Sequence, residues 1–275
     1  MSRRAAIGIL WHAVLIALLL AMFYPIAFAL SNSFKSISDA YSSVMELIPS
    51  RPTLENYSRV FSRLDVWRIT ANTLFIALVA SVFKVLTSIL AAYAFTEFSF
   101  PGRGVLYFVM ISTIFIPFNV TMLPNYLSIT SLGLNDTLVG VALPQLCDAT
   151  GIFLIRQSMR TIPRSILEAA RMENRSSLGM LTDIVVPLTR PAILSSAIIF
   201  FINSWNEYVW PVLMLKSKEN FTLSLALQMY ISSEGGTEFT VAMAVSVLAM
   251  LVPFGLYVMF QKFIVSTFTS SGVKG

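Results

Sequence analysis

Few residues in this chain could carry out catalytic chemistry. His12 is the only histidine and Cys147 the only cysteine, so neither a His/Cys metal cluster nor a serine–histidine hydrolytic arrangement can be assembled. The loop G-x-x-x-x-G-K-[ST], whose backbone holds nucleotide phosphates, is also missing from the sequence. The sequence therefore predicts no catalytic residue, no metal site and no cofactor within this chain, and it argues against an enzyme.

Two charged residues stand inside apolar runs. Lys84 lies near the middle of one run and Asp148 lies within another. A charge inside a bilayer is costly and usually faces the interior of a helix bundle or a water-filled path. Three interpretations of Lys84 are open: an internal ion pair with Asp148, contact with the membrane surface or a partner chain, and contact with an anionic substrate group.

A second group of polar residues has the chemistry of a substrate pathway. Amides and carboxylates suit the hydroxyl groups of a sugar, and an aromatic ring suits its apolar face. The predicted pathway residues are Asn119, Asn125, Asn203, Trp205, Asn206 and Glu207, with Lys84 as a further candidate. The alternative is an interfacial aromatic belt in which Trp205, Tyr208 and Trp210 mark the outer membrane boundary.

Residues 156–190 form the most informative polar segment. They carry six arginines against three acids, so the segment should stay out of the bilayer and, by the positive-inside rule, face the cytoplasm. Ser165 followed by Glu168 is a capping-box pattern, which predicts that a short helix begins after Ser165. Asn174 is predicted to end it in the left-handed conformation. The result is about two turns of exposed helix, roughly 14 Å long, which can rest in a groove on another protein.

This segment also matches a known motif. The matching residues are Glu168, Ala169 and Ala170 at its opening and Ile184, Pro187 and Pro191 at its later positions. On these residues the chain resembles the integral membrane subunits of binding-protein-dependent ABC importers, whose cytoplasmic EAA loop docks on the ATPase subunit. The chain has Glu173, Asn174 and Arg175 where that family usually has Asp-Gly-Ala, and the spacing of the motif is intact.

Further matches narrow the resemblance to the carbohydrate uptake branch, which includes the maltose and glycerol-3-phosphate permeases. They are Ala91-Ala92-Tyr93-Ala94-Phe95 ahead of Phe100-Pro101-Gly102-Arg103, Ser204-Trp205-Asn206-Glu207-Tyr208 with Trp210-Pro211, and the terminal Gly272-Val273-Lys274-Gly275. The resemblance implies a permease subunit of an ATP-driven importer. Its cargo would be a sugar, an oligosaccharide or a glycerol-3-phosphate-like polyol.

The resemblance also implies residues and partners for energy coupling. The implied coupling residues are Glu168, Ala169, Ala170, Glu173, Asn174 and Arg175. Glu168 would contact a basic group on the ATPase, serve in the capping box, or do both. The implied partners are a second permease in a heterodimer, two ATPase subunits that bind ATP and Mg, and an extracytoplasmic solute-binding protein, with membrane lipid around the complex and no nucleic acid. The alternatives are a secondary transporter and a channel subunit, neither of which has an ATPase partner.

The composition indicates the elements that must position these residues. Hydrophobic residues make up 56% of the chain and charged residues 12%, with a mean hydropathy of +0.75, whereas soluble domains are about 25% charged. Long apolar runs favour helices over a membrane barrel. We predict an all-α membrane protein of the type I ABC importer permease fold: one domain over residues 1–275, with a coupling loop at 157–190. The six predicted helices lie near residues 9–31, 70–96, 104–127, 136–156, 191–213 and 240–263.

Charge counting predicts the orientation. Six spans place both termini on one side, and eleven of the 19 basic residues fall on the side of the coupling loop, which favours cytoplasmic termini in the cytoplasmic membrane of a bacterium. A competing interpretation of the N-terminus is a cleaved signal peptide with Ala27-Phe28-Ala29 as its cleavage site. Residues 32–69 are expected to form an outer cap, amphipathic or irregular in structure.

Overall fold

The computed structural model describes residues 3–232 and 238–270, with side chains described for 7–229 and 238–261. Every regular element within these residues is helical, which confirms the predicted fold class. The helices are α1 (Arg3–Ser33), α2 (Ile37–Ser42), α3 (Glu55–Arg63), α4 (Val66–Glu97), α5 (Arg103–Ser112), α6 (Phe118–Ser131), α7 (Leu138–Ala142), α8 (Ala149–Met159), α9 (Arg164–Met172), α10 (Ser177–Met180), α11 (Val186–Asn206), α12 (Val209–Met214), α13 (Leu223–Ser232) and α14 (Phe239–Ser270).

Four helical stretches among the described residues are long and apolar enough to cross a membrane unbroken. They are Ile7–Ser33, Val66–Glu97, Ser177–Asn206 and Phe239–Gln261. Two further candidates are bent pairs, Arg103–Phe115 with Phe118–Ser131 at 101° and Leu138–Gln145 with Ala149–Met159 at 45°. The described residues therefore contain four to six spans, depending on whether each bent pair counts as one.

The spans predicted at 104–127 and 136–156 are broken rather than straight. Ile116 is extended and precedes Pro117, which has ψ of 141°, because proline pushes the residue before it out of the helical region. Asp148 is also extended, with φ of −145°. Each break begins a new helix, so the backbone changes direction within the predicted span.

The span predicted at 191–213 also differs from the structure. Its helix begins fourteen residues earlier, at Ser177, and ends at Asn206 before the short helix α12. A π turn at Leu181–Val185 leads directly into α11, whose first turn holds Pro187. The π turn changes the hydrogen-bond ladder just before Pro187, the residue whose N–H is missing from that ladder.

The chain divides into two compact units, which we describe separately. The first comprises Met1–Val66 and Leu225–Val252, and buried polar side chains hold the segment that follows α1. Lys35 is fully buried and donates to the carbonyl oxygens of Ser43 and Glu46 at 2.7 and 2.6 Å. Asn56 on α3 donates to the carbonyl of Ser33 at 2.8 Å and accepts from Thr240 at 2.8 Å. The segment after α1 is thus a hydrogen-bonded cap with an amphipathic helix.

The second unit comprises Trp67–Ser224 and Pro253–Gly275. Its α4, α8 and α11 approach closely at Gly151. A β-carbon at this position would lie 2.3 Å from Phe200 and 2.6 Å from the Ser88 hydroxyl, so a larger residue would push the helices apart. The prediction of one domain over 1–275 stays a prediction.

Candidate functional site

The candidate coupling helix is α9, and its start differs from the predicted one. The helix begins at Arg164 with Pro163 as N-cap, and no side chain caps it. The predicted capping box between Ser165 and Glu168 is therefore wrong. Pro163 has φ of −59°, and because its ring holds that angle it starts the helix two residues before a serine cap at Ser165 would.

The end of α9 is the predicted one. Asn174 has φ of 55°, in the left-handed region. The N–H of Arg175 donates to the carbonyl of Ala170 at 3.2 Å, and the N–H of Asn174 donates to that of Arg171 at 3.0 Å. This pair of bonds is a Schellman motif, which satisfies carbonyls that the helix end would otherwise leave free. Asparagine thus supplies the conformation that the family's usual glycine would.

The inner face of α9 is buried in the core of the second unit. Leu167 and Ala170 are both buried on this face. Leu167 belongs to a cluster with residues of α4, α8, the π turn and α11: Ala92, Tyr93, Ile155, Met159, Leu181, Val185 and Ile193. A two-turn helix is unstable alone in water, so this burial is what holds α9 at the ends of the apolar helices.

Two ion pairs connect the C-terminal end of α9 and the turn after it to α4 and to the π turn before α11. Arg171 contacts Glu97 at the end of α4, with 2.7 Å between Nη2 and Oε2. Arg175 contacts Asp183 in the π turn, with 3.1 Å between Nη1 and Oδ2. Arg171, Arg175 and Asp183 are each about half exposed, so the pairs add orientation more than stability. A displacement of α9 would therefore act on α4 and α11.

The other predicted coupling residues lie on the exposed surface. Glu168, Ala169 and Glu173 are all exposed. Ala169 adds only a methyl group, so it leaves space beside Glu168. The structure thus presents an acidic side chain on a thin helix face, available to another protein.

Lys84 lies on α4 and is 8% exposed. The ion pairs among the described residues do not include a Lys84–Asp148 pair, although the Asp148 and Glu207 carboxylates both attract the ammonium. Its nitrogen lies 5.7 Å from the centre of the Phe200 ring. One turn along α4, the buried Ser88 hydroxyl has no hydrogen-bond partner among the described residues. Lys84 is therefore a buried amine within electrostatic reach of two carboxylates.

Each of those two carboxylates caps the first turn of a helix that follows an interruption of a longer helical stretch. The sequence analysis did not predict this role. Asp148 accepts from the N–H of Gly151 at 3.0 Å and caps α8. Glu207 accepts from the N–H groups of Val209 and Trp210 at 2.9 and 3.2 Å and so caps α12. Aspartate immediately before an apolar run is a helix-start signal, so the role of Asp148 could have been found. Glutamate is a rarer cap and gave no such signal.

The remaining pathway candidates differ in their exposure. Trp205 is 1% exposed and stacks on Phe201 at 5.7 Å, so its ring contributes to packing here. Asn203, Asn206 and Asn119 are exposed, and Asn125 is half-buried on α6. Their assignment to a substrate pathway stays a prediction.

A second cluster that the sequence analysis missed surrounds Asp136. This residue has φ of 54° and joins the loop before α7 to the loop after α12. A hydrogen bond from the Ser217 hydroxyl, with others from the N–H groups of Lys216 and Ser217 and the amide of Asn220, lowers the pKa of Asp136 to about 2 against the opposing effect of burial. The carboxylate therefore stays charged at every physiological pH and holds the two loops together.

With this geometry in view, comparisons with known proteins define the class. Residues 64–266 match the family described as the inner membrane component of binding-protein-dependent transport systems. The chain belongs to this family and is a membrane permease subunit.

Relatives match over nearly the whole chain. The chain is 30% identical over 272 residues to the sn-glycerol-3-phosphate transport system permease protein UgpE of Rhizobium meliloti (strain 1021), covering 96% of both chains. It is 30% identical over 255 residues to the arabinooligosaccharides transport system permease protein AraQ of Bacillus subtilis (strain 168), covering 92% of this chain and 90% of that one. These relatives confirm the predicted carbohydrate branch. The terminal Gly272-Val273-Lys274-Gly275, which was part of the sequence resemblance, lies outside the described residues.

A solved structure shares the fold. It belongs to a bacterial ABC transporter involved in the import of the acidic polysaccharide alginate, with a TM-score of 0.84, 28% identity, and coverage of 95% of this chain and 98% of that one. The predicted ABC importer permease fold is therefore confirmed.

The end of α9 yields a testable prediction. Replacing Asn174 with alanine should destabilise the closed end of α9 by about 1 kcal/mol, because an alanine is strained at positive φ. Hydrogen exchange of peptides covering 164–176 should then become roughly fivefold faster. Asn174→Gly should exchange at the wild-type rate.

The matched control is Ser165→Ala at the other end of the helix. It should leave exchange unchanged, since no side chain caps α9. Equal loosening by Ser165→Ala and Asn174→Ala would show instead that a capping box holds the helix.

Proposed function

We propose that this chain is the permease subunit of an ATP-driven importer for a carbohydrate or a related polyol in a bacterial cytoplasmic membrane, with both termini cytoplasmic. The observation that carries the proposal is α9: a helix that exposes the acidic side chain of Glu168 and buries its inner face among the ends of α4, α8 and α11. The basic segment around it favours the cytoplasmic side.

In the proposed mechanism, ATPase subunits move α9 as a rigid body. Glu168 contacts a basic group on the ATPase. Ala169 keeps the exposed face thin enough to enter a groove, and Ala170 packs on the buried inner face. Glu173, Asn174 and Arg175 form the turn that connects α9 to α10. ATP binding then changes the permease because it stabilises one of two permease conformations more than the other.

The remaining parts of the importer are supplied by partners. ATP and Mg bind to two ATPase subunits, a second permease completes a heterodimer, and an extracytoplasmic binding protein delivers the solute. Support for the last partner comes from the binding-protein-dependent family to which the chain belongs. A transporter or channel subunit without an ATPase is the alternative, and the exposed α9 argues against it.

For the solute, the relatives support a carbohydrate or a polyol phosphate. Their names include sn-glycerol-3-phosphate and arabinooligosaccharides. Within this chain we assign pathway roles to Lys84, Asn119, Asn125, Asn203, Trp205, Asn206 and Glu207. Lys84 is buried and within electrostatic reach of the Asp148 and Glu207 carboxylates, and these two negative groups favour a neutral sugar over an anion at this point.

Glu168 provides the first test. Changing Glu168 to lysine should place two positive groups together in the ATPase groove. An interfacial charge contact of this kind is worth about 2 kcal/mol or more, so co-purification of the ATPase should weaken by roughly 30-fold. Pull-down of ATPase subunits with the tagged permease measures this.

The control is Glu219→Lys, the same charge change at an exposed residue beside the Asp136 cluster. It should leave ATPase co-purification intact. Retention of ATPase and uptake by Glu168→Lys would refute the coupling role of α9.

The solute is tested with the complex as it co-purifies from cells. We expect neutral oligosaccharides, presented with the binding protein, to stimulate ATP hydrolysis more than sugar phosphates do, because the two carboxylates near Lys84 disfavour an anion there. Stimulation by a sugar phosphate alone would show instead that Lys84 meets an anionic substrate. No stimulation by either class would remove the carbohydrate assignment.

A further inference from the structure

A partly enclosed cavity of about 320 Å³ lies beside α9 within the second unit. It is lined by the end of α4, the start of α5, the end of α8 and the start of α9. Four arginines contribute to its wall, Arg103, Arg156, Arg160 and Arg164. A smaller space of about 230 Å³, lined by Arg103, Arg164, Arg171 and Glu168 among others, continues it along α9.

The acids at the cavity do not neutralise these arginines. Glu97 lines the cavity, but its carboxylate is already paired with Arg171 at 2.7 Å. The salt bridges among the described residues include none of the four wall arginines. The cavity is therefore strongly positive.

Two of the four arginines are held in place by the protein itself. Arg156 donates to the carbonyl of Phe95 at 3.4 Å and stacks over the Tyr107 ring, with 3.9 Å from Cζ to the ring centre. Arg103 donates to the carbonyl of Phe98 at 2.9 Å. Since a guanidinium has five N–H donors, both keep donors for a ligand. Arg160 and Arg164 are exposed and have no hydrogen-bond acceptor or ion-pair partner among the described residues.

The surroundings of the cavity are apolar on one side. Arg103 begins α5, and the next turns of that helix expose Val105 at 71%, Leu106 at 55% and Phe108 at 71%. A positive cavity at one end of an exposed apolar helix matches a molecule with an anionic head and hydrocarbon chains. A soluble anion would use only the cavity, and an acidic protein surface would leave the face of α5 uncovered.

We propose that this cavity binds the phosphate group of an anionic phospholipid, whose acyl chains lie along α5. The phosphate oxygens accept hydrogen bonds from the arginine side chains, which favour phosphate because their planar donors bind it in pairs. Arg164 and Leu167 of α9 line the cavity, so the bound lipid also holds α9 against the membrane helices. The proposal requires that these helix ends lie at the lipid–water boundary, and it does not depend on docking of α9 to an ATPase.

Native mass spectrometry of the full-length purified chain tests this proposal. Phosphatidylglycerol and phosphatidylcholine with identical acyl chains should be titrated in parallel. We expect the wild-type chain to retain phosphatidylglycerol roughly tenfold better, since each arginine near an anionic headgroup contributes about 1 kcal/mol. The Arg160→Gln/Arg164→Gln double variant should lose most of this preference.

The matched control is Arg190→Gln, an exposed arginine outside the cavity lining, which should keep the full preference. If the double variant does not fold, the wild-type comparison alone decides, and equal retention of the two lipids overturns the proposal. If millimolar inorganic phosphate abolished the preference for phosphatidylglycerol, the cavity would be a site for a free anion instead. Loss of ATPase co-purification by the double variant with unchanged lipid preference would show a protein interface and also overturn it.

Discussion

The structure around the candidate site depends on the burial of one face of α9. Leu167 and Ala170 turn inward, and Leu167 packs in a cluster shared by α4, α8 and α11. Burying a leucine side chain contributes about 2 kcal/mol, which two helical turns could not supply by themselves. The same cluster contains residues from three apolar helices. In the proposed mechanism, this shared packing carries a push on α9 into the ends of those helices.

Within the second unit, carboxylates mark two of the places where the long helices break. Asp148 and Glu207 each accept from the first N–H groups of a helix, and the buried Lys84 is within electrostatic reach of both. Backbone N–H groups freed inside an apolar region are costly, so a carboxylate cap allows a break there and a nearby cation offsets its charge. Breaks stabilised in this way are natural positions for two alternative arrangements of the same helices.

The sequence was sufficient for features that depend on local chemistry. Long apolar runs predicted the helical membrane fold, and Asn174 predicted the left-handed end of α9 because few other residues tolerate that conformation. Features that depend on distant partners were not predictable. The burial of Trp205 against Phe201, the Asp136 cluster and the separation of Lys84 from Asp148 all follow from how helices pack. The predicted start of α9 was wrong because Pro163 begins the helix before the serine that was expected to cap it.

The central claim is that α9 faces the cytoplasm and meets a partner protein. The most direct measurement places a single cysteine at Ala169, which is exposed, by Ala169→Cys in a Cys147→Ala background. The account predicts that a membrane-impermeant maleimide labels it in inverted membrane vesicles, that it is unlabelled in intact cells, and that the ATPase subunits protect it. Labelling from outside intact cells, or no protection by any companion protein, would contradict the account.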